Sequence, residues 1–347
     1  MLDNAMFSGD AFTLSALTDL VNDIPYVPSR LDELKIFEPK MLSTTSISIE
    51  RKKGKIQLIP PTQRGAPGVT IQHGSRDIVT DVKIPHFEIN DALLAEEVQN
   101  KRAPGQTGQL TTVQEKTVEK LIDAKQNLAA TAELARMGAV KGIITYADGS
   151  QLNLYDLLGV TASPITYLDL AATSPVDGAL RRACANIVRD LMDLLGALPM
   201  KGVHALCGDN FFDLLIMHPE VRETYKGWPE ARILREGYAG DKKGAYATFE
   251  FGGIVFENYR GSPDLPGFIG LNECRVFPMG VPGLFQTAYA PADYMETVNT
   301  EAQALYVKPT PWTNSKGISL DTQTNQLNFC TRPECLLELS SEADPAP

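Results

Sequence analysis

The sequence predicts an α+β protein built from several subdomains, and three stretches carry that prediction. Residues 46–90 alternate apolar and polar side chains with the period of extended strands. Residues 112–139 repeat apolar side chains with the period of one long amphipathic helix. Residues 200–295 then mix short strands with a short helix, as a separate α/β unit does. At 347 residues the chain is longer than one small core needs, so two or more subdomains are the default.

Residues 1–45 read as an arm. Phe12, Leu14, Leu17 and Leu20 fit a short amphipathic helix, and Pro25, Pro28 and Pro39 break the pattern after it. In 46–90, Ile47 and Ile49 alternate with Ser48 and Glu50. A basic tip follows, Arg51, Lys52, Lys53, Gly54 and Lys55, and the chain returns through Ile56, Leu58 and Ile59 with Gly54 taking the turn. Beyond a Pro/Gly-rich loop at 60–68, Ile78, Thr80, Val82 and Ile84 make a second extended run that Pro85 stops. A lone two-stranded ribbon is only marginally stable in water, so this projection needs a neighbour, which another chain could supply.

The spacing next predicts a helix over 112–139. Thr112 with Glu115 makes a capping box. Val118, Leu121, Ile122, Leu128, Ala129, Ala132 and Ala135 trace its apolar face, while Glu115, Lys116, Glu119, Lys120, Asp123 and Lys125 are solvated. Gly138 and Gly142 supply stop signals, and at ~1.5 Å per residue the helix is roughly 40 Å long. Asp148-Gly149 between apolar runs predicts a hairpin. Ser174 and Pro175 open a second helix through Leu180, Ala183, Ile187, Leu191 and Leu194 to about Gly196.

In 200–295, Val203–Leu206 reads as a strand, and Asp209 as the cap of a helix through Phe212, Leu215 and Ile216. Residues 228–244 are loop-like, Phe249 to Phe256 is a strand running through Gly252-Gly253, and Glu273 to Phe277 is another. Residues 304–312 and 326–340 are extended, and 341–347 form an acidic, Pro-containing tail.

Composition excludes several function classes. With 43 acidic and 32 basic residues, the net charge of -11 repels phosphate backbones and argues against a general nucleic-acid binder. It does not forbid a container, whose mildly repulsive inner wall would let packed DNA slide rather than stick. Five scattered cysteines fit a reducing, intracellular setting. The first 20 residues lack a secretory pattern, and no apolar run is long enough to cross a bilayer.

Enzyme chemistry finds little support. Cys330-x4-Cys335 needs two more ligands to make a zinc site, and none is near in sequence. His204 beside Cys207 reads as a strand histidine rather than half of a nucleophilic pair, and His73, His86 and His218 are dispersed. Residues 237–244 have no preceding apolar strand and no Gly-Lys-Ser/Thr, so they are not a phosphate loop. Asp91, Glu96 and Glu97 read as a solvated face. No catalytic residue, metal or cofactor is therefore expected. An intracellular α/β enzyme centred on 200–295 is the rival of another class, and it requires a convergent polar pocket.

The order of the pieces resembles the phage lambda type of major capsid protein, the major capsid protein E family. The resemblance is carried by Ile47–Ile56, by the run from Ala124 to Gly142 into Ile144-Thr145-Tyr146 and Asp148-Gly149, and by Ala205–Leu215 followed by Pro219–Tyr225. Phe251–Glu257 and Thr331–Leu337 complete it. It implies a Hong Kong 97-type tailed-phage capsid fold with an extended loop, a long spine helix, a peripheral domain and an axial domain. In those terms 1–45 is the N-terminal arm, 46–90 the extended two-stranded loop and 91–200 the peripheral domain with the spine helix. Residues 201–295 form the axial domain, and 296–347 return to the peripheral domain and end in the tail.

The implied function is self-assembly into pentamers and hexamers of an icosahedral phage head that encloses double-stranded DNA without sequence-specific binding. An encapsulin-type compartment is the alternative within the same fold. The implied location is the virion, after assembly in the host cytoplasm and with no membrane partner. The implied partners are the chain itself, a portal protein, a scaffolding protein and, in some relatives, a decoration protein. The short arm leaves no room for a built-in scaffold, and nothing identifies the partners of a Lys–Asn cross-link. Inter-subunit contact through the extended loop is expected from Ile47, Ile49, Arg51, Lys52, Lys53, Lys55 and Ile56, with the basic cluster docking on an acidic neighbour. Axial contact is expected from Trp228, Tyr238, Lys242 and Lys243.

Overall fold

The computed structural model describes residues 30–52, 76–98, 113–196, 198–226, 248–259 and 268–345. In chain order they hold α1 (Arg30–Glu33), β1 (Phe37–Met41), β2 (Ser46–Lys52), β3 (Arg76–Lys83), β4 (His86–Leu94), α2 (Ala95–Val98) and α3 (Val113–Lys141). Then come β5 (Ile143–Thr145), β6 (Gln151–Asn153), α4 (Leu154–Leu158), β7 (Thr166–Tyr167), α5 (Ala179–Leu195), β8 (Gly202–Cys207), α6 (Asp209–Met217) and α7 (Pro219–Lys226). The last are β9 (Thr248–Phe251), β10 (Ile254–Asn258), β11 (Glu273–Met279), β12 (Phe285–Tyr289), β13 (Tyr306–Pro311), β14 (Gly317–Cys330) and β15 (Leu337–Ser340). Two units emerge, the first from Met1–Ser48, Asp81–Ala135 and Gln286–Asn328, the second from Ile49–Thr80, Arg136–Phe285 and Phe329–Pro347.

The first unit is a sheet covered by a helix. Its five strands run β1-β12-β14-β13, with β4 also paired to β14. Both β4 and β13 lie antiparallel to β14, so Leu320 sits between Asp91 and Pro309. Leu121 and Leu128 of α3 pack on Val307, Ile318 and Leu320 of the sheet and on Leu305 just before β13. That apolar contact is the unit's core, because the α3 stripe is the surface that must leave water. The buried stripe includes Ala124 and omits Ile122, which is half-buried. Ala124, Ala129, Ala132 and Ala135 of the same helix are buried as well. Thr112 lies outside the described residues, so the expected capping box does too.

β14 carries a run of buried polar side chains, Thr322, Gln323, Thr324, Asn325, Gln326 and Asn328. Buried polar groups persist when they are hydrogen-bonded, and three of these tie a neighbouring loop to the sheet. The Gln323 amide oxygen accepts from Asp293 N at 3.1 Å. Thr324 donates to Ala304 O at 2.7 Å and Asn325 to Pro291 O at 2.7 Å. Lys120 of α3 donates to Ala92 O and pairs at 3.2 Å with Asp91 and with Glu97, so two of the acids expected to be solvated brace this helix against β4 and α2.

The second unit is a six-stranded mixed sheet in the order β7-β15-β11-β8-β10-β9. β8 is central and almost wholly buried, parallel to β10 and antiparallel to β11. Leu180, Cys184, Ile187, Leu191 and Leu195 form the buried face of α5, a spacing of three to four residues that keeps one side apolar. Phe211, Phe212 and Leu215 do the same for α6. Phe249 stacks on Phe256 with ring centroids 5.7 Å apart and meets Phe212 edge-on at 5.8 Å.

Several local expectations need correcting. α5 starts at Ala179 rather than after Ser174, with Gly178 in the left-handed region as its cap. Its first free amides, Leu180 N and Arg181 N, donate to the Glu220 carboxylate at 3.1 Å each. A carboxylate from α7 therefore satisfies donors that a local Ser would otherwise take, and its charge suits the helix N-terminus. Gly208, not Asp209, precedes α6. The strand expected through Gly252-Gly253 is a hairpin, with both glycines at positive φ (60° and 85°) between paired Phe251 and Ile254. A two-residue turn of that hand matches the twist of the strands it joins. Residues 326–340 are not one strand: β14 ends at Cys330, a 3-10 turn spans Pro333–Cys335, and β15 joins the other sheet.

The Asp148-Gly149 hairpin is present, with Ile144 opposite Leu152 and the Asp148 carboxylate accepting from Ser150 N at 2.9 Å. Gly142 ends α3 at φ +81°, but Gly138 lies inside the helix. A side chain at Gly138 would put its Cβ 2.7 Å from the Ile144 Cα. Its use is close approach of the hairpin, not helix termination.

Candidate functional site

The β2–β3 ribbon is a two-stranded sheet of its own. At its root Ile47, Ile49, Val82 and Ile84 are buried, the outcome of period-two alternation on a half-buried ribbon. The Ser48 hydroxyl bonds to the Asp81 carboxylate across the pair, and Ile84 N donates to Thr45 O at 3.0 Å. Ile47 and Ile49 are thus already covered within this chain and anchor the ribbon. Arg51 and Lys52 end β2. Lys53, Lys55 and Ile56 lie outside the described residues, as do Trp228, Tyr238, Lys242 and Lys243.

Beyond these, the first unit presents a surface that sequence reasoning missed. Met295 and Val298 are 89% and 58% exposed, on and beside a 3-10 turn at Met295–Thr297. The turn is held in place: Lys308 of β13 meets both Glu296 carboxylate oxygens at 2.8 and 2.9 Å and lies over the Tyr294 ring. Only the Met-Glu-Thr run signals it, and that run is too ordinary to single out. β13 forms an edge of its sheet, and Pro309 and Pro311 deny an incoming strand two backbone donors there. In the second unit Val176, Met217 and Leu271 are likewise exposed.

Polar clusters in the described residues are structural in their geometry. His204 of β8 meets the fully buried Glu257 of β10 at 3.0 Å, while the Cys207 thiol faces Cys274. The imidazole and the thiol of the sequence pair point to different partners. All five cysteines are buried and outside any disulfide, and no group of three or more His, Cys, Asp or Glu converges as metal ligands among the described residues. No helix there is long and apolar enough to cross a membrane.

A charged network braces the second sheet. Glu273 bonds to the Arg275 guanidinium, accepts from Gly270 N at 2.9 Å and lies 3.6 Å from Lys141. Arg275 also reaches Glu338 of β15 at 2.7 Å. Burial pushes the Glu273 carboxyl up, but Arg275, Lys141 and the Gly270 amide outweigh it and hold it below its ordinary value of 4.5. Burial wins at Lys141, whose ammonium is held below its ordinary 10.5 despite Glu273.

A depressed carboxyl contributes stability above its unfolded pKa and loses it as pH falls through the folded value. Glu273→Gln is therefore expected to lower the urea midpoint at neutral pH, with the gap to wild type closing as pH drops below about 4.5. Paired urea titrations across pH 2–7 read that gap, and a constant gap contradicts the assignment.

A model of the family described as phage major capsid protein E matches residues 13–341. The chain is 24% identical over 358 residues to a major capsid protein of Salmonella phage Felix O1, covering 96% of this chain and 97% of that one. It is 27% identical over 346 residues to a major capsid protein of Pseudomonas phage KPP10, covering 94% and 96%. In fold it is similar to a protein of an E. coli CFT073 prophage assigned as a capsid protein, with a TM-score of 0.56 at 14% identity over 94% of this chain and 98% of that one.

Proposed function

The chain belongs to the phage major capsid protein E family and is a structural component of a phage head, and from that premise we propose that it closes pentamers and hexamers of itself into an icosahedral shell around double-stranded DNA. Function then lies in the geometry of contacts, with no chemical step. The proposed layout is of the Hong Kong 97 type. Residues 46–90 reach over a neighbouring subunit, and 91–200 with 296–347 form the peripheral platform along α3. Residues 201–295 gather about the axis, with Trp228, Tyr238, Lys242 and Lys243 as contacts there. A scaffolding protein guides closure in the host cytoplasm, and a portal occupies one vertex.

The observation that supports this reading most is the ribbon. It joins neither large sheet, it is anchored by a buried root at Ile47 and Ile49, and it leads into a basic tip on a chain of net charge -11. A thin basic arm on an acidic protein finds its complement on another copy. Each exposed ion pair contributes only about 0–1 kcal/mol. Repeated around every subunit, such pairs set register more than affinity.

Reversing the tip (Arg51→Glu, Lys52→Glu, Lys53→Glu and Lys55→Glu together) is expected to abolish shells while moving the subunit's own stability by less than about 1 kcal/mol. Sedimentation with a thermal melt reads both quantities. Normal shells from the reversed protein contradict the docking role.

A further inference from the structure

Cys207 ends β8 and Cys274 lies directly opposite it on antiparallel β11. The next ladder bond runs from Gly208 N to Glu273 O at 2.9 Å, which makes Cys207 and Cys274 a non-hydrogen-bonded pair. Cα atoms of such a pair stand about 4.5 Å apart, within the roughly 4.4–6.8 Å that disulfides span. The Cys207 thiol donates to Cys274 Sγ at 3.3 Å, so the sulfurs are already turned towards each other. Both residues are fully buried. Cys184 lies on α5 against the Gly252 turn, Cys330 ends β14, and Cys335 ends the 3-10 turn that follows.

We propose that Cys207 and Cys274 are a latent cross-strand disulfide, closed by a two-electron thiol oxidant of the azodicarboxamide or peroxide class. With diamide, one thiolate adds to an azo nitrogen. The second thiolate then attacks that sulfur and expels the hydrazine. Two S–H bonds and the N=N π bond are lost, one S–S bond and two N–H bonds form, the thiols are oxidised and the diamide is reduced. Closure staples the strands flanking a segment that contains α6, α7, β9 and β10. Burial, with the Cys207 thiol beside it, pushes the Cys274 thiol well above the ordinary range. The reaction therefore waits on local opening of the strand pair, and a subunit kept in reducing surroundings retains both thiols.

The test uses the full chain, treated with diamide in buffer and in urea just below its unfolding transition, where local opening is frequent. Free thiols are then alkylated in denaturant, and the digest is read by mass spectrometry. The expected product joins the Cys207 and Cys274 peptides, leaves Cys184, Cys330 and Cys335 alkylated, and vanishes on reduction. Oxidation should raise the melting temperature of wild type and of Cys184→Ser but not of Cys207→Ser. Alkyl groups on both Cys207 and Cys274 in the urea arm, or a bond joining either to a different cysteine, overturn the proposal.

Discussion

Replacing Gly208 by alanine is expected to lower the melting transition of the second unit by roughly 6–12 °C, from a loss of about 3 kcal/mol. The reason is space, not backbone freedom, since Gly208 has an ordinary φ of -73°. Here β8 hands over to α6 while the 268–272 segment crosses above, with Phe211 N donating to Leu271 O at 3.0 Å. A Cβ on residue 208 would stand 2.0 Å from Gly270 O and 2.7 Å from Leu271 O. Those atoms belong to backbone and cannot rotate away, so the junction between central strand and helix must separate. Gly149→Ala is the control, because its Cβ meets nothing within 4 Å and only the positive φ of +82° resists it. That strain costs about 1 kcal/mol. Equal melting losses for the two variants would contradict the crowding at Gly208.

What could be read from the sequence follows from how locally each feature is determined. The α3 stripe apart from Val118 and Ile122, the Asp148-Gly149 hairpin and the alternation of Ile47 and Ile49 are set by residues within a few positions, and each is found where expected. The start of α5 is not local, because the carboxylate that completes it is Glu220, 40 positions from Leu180. β14 escaped notice before residue 326 because Asp321 to Asn325 are polar and lack apolar alternation. Its burial becomes tolerable only once Pro291, Asp293 and Ala304 supply partners. The Gly252-Gly253 turn was legible: two glycines between Phe-bearing alternations fit a two-residue hairpin better than a strand. At the candidate surfaces, alternation identified the buried face of the ribbon but not what covers it. Val82 and Ile84 are buried at the same root as Ile47 and Ile49, within this one chain.

Deleting residues 51–68 is expected to have the largest effect on function, removing shell formation altogether while leaving a folded subunit. The buried root at Ile47 and Ile49, the α3 core on Leu305, Val307, Ile318 and Leu320, and the six-stranded sheet all lie outside the deleted stretch. Far-ultraviolet circular dichroism and the melting transitions of the two units should therefore change little. The deletion takes the end of β2 and much of the stretch between β2 and β3, and a two-stranded ribbon gains most of its stability from whatever it lies against. The decisive measurement is negative-stain electron microscopy of the full chain beside this deletion, each purified with and without a co-expressed scaffolding protein. Closed shells from the full chain and only small, open particles from the deletion are the expected pair of images. Intact shells from the deletion, or full-length protein that stays as separate subunits in every preparation, would contradict a function carried by one copy reaching over the next.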